Sequence, residues 1–439
     1  MIKNSLSALV LTLIAVCAPA VSADVRICTL SNGTVVTADN TGQRPVSAYF
    51  QTCIADLSVQ VMDLQPGTYL VDAPIVVDRS QLTIRTAGLA ADTRNCQTLP
   101  GGSCATFLAS PSNGHCINNP YFCNGRPSNK EGMLQARNPV GTILRNVIFD
   151  HLILDGNREN RQATVAHDSC KYGSNRLGFN SRMAECGDND PNHKCQFTYN
   201  FTRRALCGTG LEFGGTYGRI QGNAAFDNGV HETNLWADGL TINHNDYGIV
   251  NDNHLYNNTD VGLIIGGLKN GFIQSNWIQQ RGVLAFAGMM LGNFAEADAT
   301  HHPSGDYSGT YIRYNTIQCY PFNCGFGLNM GPDPWVADDR ANIKGGTVTQ
   351  NNISGAVVQI NFGGAGESTN RITVKNNTLS GAPTLEEGTP LLPGSPCRGQ
   401  RGALQNLPNN NTVGMCGNFA DADPVATSQQ CFQACWPKQ

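Results

Sequence analysis

Short apolar runs, cut by polar residues and glycines, recur along most of the chain. The clearest copies share one template: an apolar residue, two polar residues, Asn, any residue, then a second apolar residue. It reads Val250-Asn-Asp-Asn253-His-Leu255 and, 23 residues on, Ile273-Gln-Ser-Asn276-Trp-Ile278. Gly-led apolar runs accompany it at Gly239-Leu-Thr-Ile242, Gly262-Leu-Ile-Ile265 and Gly288-Met-Met-Leu291. The template recurs around Asn223, Asn315, Asn351 and Asn377. A fixed period built from short strands predicts a solenoid, in which each coil buries its inward side chains against the next. The template Asn suits a bend in every coil, where stacked amides hydrogen-bond from coil to coil and the residue tolerates left-handed backbone.

The same pattern frames the ends. Residues 44–57, RPVSAYFQTCIADL, place Val46, Phe50, Cys53, Ile54 and Leu57 at helical spacing. They predict a helix covering the otherwise open first coil. Strands follow around Val59 to Leu70, Ala73 to Val77 and Leu82 to Arg85, and again from Ile143 to Leu154. Polar, cysteine-rich stretches at about 90–136 and 158–205, with another polar stretch at 295–309, read as loop insertions. Met1 to Ala23 has the form of a secretory signal peptide with a small-residue cleavage site. Residues 24–388 are then one β-solenoid domain, and 389–439 a cysteine-containing cap.

Composition narrows the partners. A net charge of −4 with 14% charged residues offers no basic field for nucleic acid. Past the leader no apolar stretch is long enough to span a bilayer. Cys17 lies in the leader, and without it the total of 17 becomes even, as expected for disulfides in an exported, secreted or periplasmic chain. The cysteines avoid the dense repeat and gather in insertions and ends, so bridges are expected where strand stacking is sparse. Cys319 with Cys324 would close one small loop.

The repeat from Val59 to Leu379 resembles the right-handed parallel β-helix of the pectate-lyase-like superfamily, as do PGTYLVDAPIVV and HLILDGNREN. The resemblance implies an all-β, right-handed parallel β-helix. Within it, Trp236-Ala-Asp238-Gly239 and, one coil later, Asn258-Thr-Asp260-Val261-Gly262 resemble the two-coil acidic site of polygalacturonase-type and α-1,3-glucanase-like hydrolases. Asp238 falls on the first acid and Asp260 on the first member of the following pair, with Val261 at the second. That resemblance implies a polysaccharide substrate and glycoside hydrolysis.

The residues allow this chemistry on their own terms. Carboxylates one coil apart, shifted by one position, would lie about 5 to 8 Å apart, a range covering both glycosidase geometries. Their proximity would raise one pKa, as a general acid needs. Glu212 would share the face one coil earlier as a third catalytic acid. His231, Glu232 and Trp236 would border the substrate, the indole as a platform for a sugar ring. A rival reading is β-elimination on a uronate polymer, with Lys269, Arg281 and Arg313 as the cationic cluster and Ca²⁺ held by Asp238 and Asp260. Hydrolysis needs no cofactor and no metal. A third reading is a noncatalytic carbohydrate-binding solenoid. The long insertions favour a walled cleft and therefore an enzyme.

Overall fold

The computed structural model describes residues 24–111, 132–137, 143–161, 182–187, 194–230, 235–292, 305–320, 323–330, 343–356, 358–361, 372–380, 413–414 and 417–418. The chain winds as a right-handed parallel β-helix, the hand that parallel crossovers take, and its coils each contribute one strand to each of three long parallel sheets. We call them sheet I, sheet II and sheet III, with ten, eleven and nine strands among the described residues. One coil runs through Ile249–Asn251 in sheet I, His254–Tyr256 in sheet II and Val261–Ile265 in sheet III. The next repeats the order with Phe272–Gln274, Trp277–Gln280 and Ala285–Leu291. Such short strands have no stability alone. Each finds both hydrogen-bonding partners in the coils before and after it, and its inward residue stacks on the same residue of the next coil. In sheet I, Phe149, Phe197, Ile220, Val250, Ile273, Ile312 and Val348 form one such column, all fully buried.

The Asn template is a continuous ladder at the bend between sheets I and II. Asn253 Nδ2 donates to Asn276 Oδ1 at 2.9 Å and to the carbonyl of Ile220 at 2.9 Å, while its Oδ1 accepts from Asn223 Nδ2 at 3.0 Å. The pattern continues through Asn315 and Asn351 to Asn377. It also reaches one coil earlier, to Asn200, which carries no complete template in the sequence. The left-handed residue at this bend is not the template Asn but the one before it. Tyr199, Asp252, Ser275, Tyr314, Gln350 and Asn376 all have φ near +55°, and Gly222 takes the same place with φ of 66°. The asparagine keeps ordinary backbone and uses its amide to tie the coils.

A helix does cap the first coil, but it is shorter than 44–57: it spans Ser47–Ala55 and follows a strand at Thr41–Pro45. Phe50, Cys53 and Ile54 are fully buried, and the Phe50 ring meets those of Tyr69 and Phe107 edge-on at 5.8 and 5.2 Å. Ahead of it an antiparallel pair, Asp24–Thr29 with Val35–Asp39, is tied to the helix by the Cys28–Cys53 disulfide. The insertions at 90–136 and 158–205 are not loops throughout. Ala105–Ala109 and Gly132–Ala136 complete one coil, and Arg182–Cys186, Lys194–Thr198 and Phe201–Arg203 supply strands to all three sheets. Disulfides Cys96–Cys104 and Cys186–Cys195 lie in these stretches, and Cys319–Cys324 closes its small loop as its spacing suggested. Most of the 295–309 insertion and of the 389–439 tail lies outside the described residues, as does the leader.

Candidate active site

Sheet III carries the two aspartates. Asp238 is the second residue of the strand Ala237–Asp246, and Asp260 immediately precedes the strand Val261–Ile265 on the following coil. Leu240 pairs with Leu263, which sets Asp238 opposite Val261 and leaves Asp260 one position back along the strand. The backbone fixes the offset: Asp260 N–H donates to the carbonyl of Ala237 at 3.0 Å, and Val261 N–H donates to Asp238 Oδ1 at 3.1 Å. Both aspartates are part-buried and outside the apolar core.

Their environment disfavours charge. Burial pushes the Asp238 carboxyl well above the usual carboxylate range and the neighbouring Asp260 pushes it further. The Val261 amide acts the other way, as does the Thr241 hydroxyl in the arrangement where it donates to the carboxylate, and Glu212 adds a final upward push. Burial raises Asp260 to about 7. Asp260 Oδ1 is shielded from solvent and has no hydrogen-bond partner among the described residues. A carboxyl oxygen left bare in a folded protein calls for a reason. The two acids interact, so their protons leave as a pair.

Glu212 is brought onto the same sheet one coil earlier, where it pairs in register with Thr241 and is buried. Asn243 Nδ2 donates to its Oε1 at 2.7 Å. Further polar groups escaped the sequence reading. Glu185 continues the row above Glu212, and Thr209 pairs with Asp238 from the preceding coil. Thr241 Oγ1 lies 2.8 Å from Asp238 Oδ2 and 3.0 Å from Thr209 Oγ1. Glu185 sat inside a stretch that reads as loop, which hid its place in the row. The threonines offer no signal beyond the i, i+3 spacing of Asp238 and Thr241.

The remaining candidates separate. Trp236 is part-buried just before the Asp238 strand, its carbonyl accepting from Gly208 N–H at 2.8 Å. His231 and Glu232 lie outside the described residues. Lys269, Arg281 and Arg313 do not form a cluster. Lys269 is exposed on the turn from sheet III to sheet I, where its amide donates to Asp246 Oδ1. Arg281 is exposed on the turn from sheet II to sheet III, and Arg313 lies on sheet I against the rings of Phe272, Tyr311 and Tyr314. They occupy successive coils but different positions within each coil, so the winding points them to three flanks. His244 and His254 are strand residues: His244 is buried, and His254 stacks on Trp277 with ring centroids 4.3 Å apart. Among the described residues no group of three or more His, Cys, Asp and Glu is placed to hold a metal ion.

No protein-family model matches the sequence, and no curated protein matches it. Solved structures similar to it include the A-module of a mannuronan C-5 epimerase from Azotobacter vinelandii, with 14% identity and a TM-score of 0.43 over 79% of this chain and 94% of that one. A family 28 exopolygalacturonase from Yersinia enterocolitica gives 11% identity and a TM-score of 0.41 over 80% and 69%. The surface adhesin PfbA of Streptococcus pneumoniae gives 11% identity and 0.42 over 79% and 90%. The likeness lies in the coil. No activity is carried over on it.

Proposed function

We propose that the chain is a glycoside hydrolase acting on a polysaccharide, with Asp238 and Asp260 as its acid and base. The observation that carries this is the pairing itself: two carboxyls on adjacent coils, offset by one position, each raised, one with an oxygen left bare. Aspartates that merely fastened turns would have both oxygens occupied by backbone amides and would stay ionised. A pair holding one proton between them has what hydrolysis needs, a donor for the departing glycosidic oxygen and an acceptor for a proton of water. Glu212, one coil away, adds to the field that keeps the proton in place. Elimination on a uronate polymer needs cations gathered at the substrate carboxylate, and Lys269, Arg281 and Arg313 do not form such a cluster.

The test is product analysis on a panel of plant, algal and bacterial glycans. Hydrolysis releases new reducing ends with no ultraviolet-absorbing product. Chain cleavage that yields an unsaturated, absorbing sugar would replace this reading with a lyase, and binding without cleavage across the panel would replace it with a carbohydrate-binding protein.

A further inference from the structure

Three oxygen contacts line up behind Asp238. Its Oδ2 lies 2.8 Å from Thr241 Oγ1, Thr241 Oγ1 lies 3.0 Å from Thr209 Oγ1, and Thr209 Oγ1 lies 3.1 Å from the carbonyl oxygen of Leu211. Each contact needs one hydrogen. The Leu211 carbonyl can only accept, so Thr209 gives it the Thr209 hydrogen. Thr209 then accepts from Thr241, which spends the Thr241 hydrogen. The contact between Thr241 and Asp238 is left to be filled by a hydrogen on Asp238 Oδ2. With Asp238 ionised, two hydroxyl hydrogens would have to serve three contacts, and one would be an unbonded approach of two oxygens. Thr209 is buried, where an unmade hydrogen bond is costly.

We infer that Asp238 is the acid of the pair, held protonated by a hydroxyl chain through Thr241 and Thr209 that ends on the carbonyl of Leu211. Asp260 is then the base. This rests on the hydrolase reading for its use, though not for its geometry. In the reaction the Oδ2 proton passes to the oxygen of the breaking glycosidic bond, which leaves as an alcohol. Asp260 takes a proton from the water whose oxygen makes the new bond to carbon, so the pair keeps its proton count. Thr241 and Thr209 are positioning residues. The charged groups facing Asp238 are Asp260 on the following coil and Glu212 on the preceding one, both acids, and they act in the same direction as the chain.

The sign of one substitution decides between this chain and the ordinary arrangement in which Thr241 donates to an ionised Asp238. The experiment is a ¹³C-carboxyl NMR titration of the full chain labelled at aspartate, with Asp238→Asn assigning the resonance. If Asp238 donates, Thr241→Val removes an acceptor from the protonated form, and the Asp238 midpoint falls by about one pH unit, the size of one net hydrogen bond. Thr241→Ser keeps it in place. Thr209→Val frees the Thr241 hydrogen to turn toward Asp238 and also lowers the midpoint, which serves should Thr241→Val fail to fold. A rise with Thr241→Val, or an unmoved midpoint with Thr209→Val, overturns the assignment. No substrate is needed. If the midpoints move as expected while no glycan is cleaved, the hydroxyl chain stands and the hydrolase reading falls.

Discussion

Replacing Asn253 by alanine in the middle of the ladder should destabilise the protein far more than the same change at the ladder's end. The Asn253 side chain donates to the Ile220 carbonyl and Asn276 Oδ1, both at 2.9 Å, and accepts from the Asn223 amide N–H and from Asn223 Nδ2, both at 3.0 Å. It is fully buried, so water cannot replace what alanine removes. Four hydrogen bonds at about 1 kcal/mol net each give a loss of about 4 kcal/mol. Asn377 is part-buried and is the last rung among the described residues, accepting two bonds from Asn351 and donating one to the carbonyl of Val348. Solvent can take over part of its role, so Asn377→Ala should cost about 1 to 2 kcal/mol. Urea unfolding gives the ranking. Amide exchange gives its location, since a solenoid stabilised between nearest neighbours should loosen around the Asn253 coil first. Equal losses for the two variants, or a loss below about 1 kcal/mol for Asn253→Ala, would refute the idea that the ladder ties the coils.

The carboxyl pair sets a pH dependence. Asp260 is pushed up to about 7 in the folded protein against an ordinary value of 3.8. Between those values the folded chain holds a proton that the unfolded chain has lost, so stability falls as pH rises through this window and levels off above it. Thermal unfolding should therefore show Asp260→Asn more stable than the natural chain at pH 8 and level with it at pH 4; the reverse order would contradict the raised carboxyl. Gly262 follows the site, and a Cβ there would meet the Gly288 carbonyl and Ile278 Cγ2 at 2.6 Å each. Gly262→Ala should lower both stability and glycan cleavage, whereas cleavage at the natural rate would show that the Asp260 corner tolerates displacement. Arg313→Gln, on sheet I, should leave cleavage unchanged, and a loss of more than tenfold would place the substrate on that flank.

The solenoid was legible because its coil is local and repeated. A buried residue and a ladder asparagine recur at fixed places in each turn, so template copies at Asn223, Asn253 and Asn276 reveal stacking without any long-range information. The same logic carried Asp238 and Asp260 onto neighbouring coils. The coils hidden at 90–136 and 158–205 were not legible. Their strands, such as Ala105–Ala109 and Arg182–Cys186, are only five residues long, sit among polar and cysteine-rich residues, and lack the template Asn. Strand pairing with neighbouring coils overrides their weak local signal. The basic residues failed for a geometric reason: counting coils gives height along the rod and not direction around it. Lys269, Arg281 and Arg313 share neighbouring heights and face different sides. Thr209 and Thr241 gained their meaning only from distances.

The most direct measurement of the aspartate pair is the cleavage rate of Asp238→Asn and Asp260→Asn on the glycan that the natural chain degrades, with folding of each variant checked by circular dichroism. Each substitution should lower the rate by about 10²-fold or more, the size of a general acid or base contribution. The double variant should be little worse than either alone, because the two act on one proton inventory. Folded single variants that both cleave at the natural rate would contradict the account and leave the β-helix without its proposed chemistry.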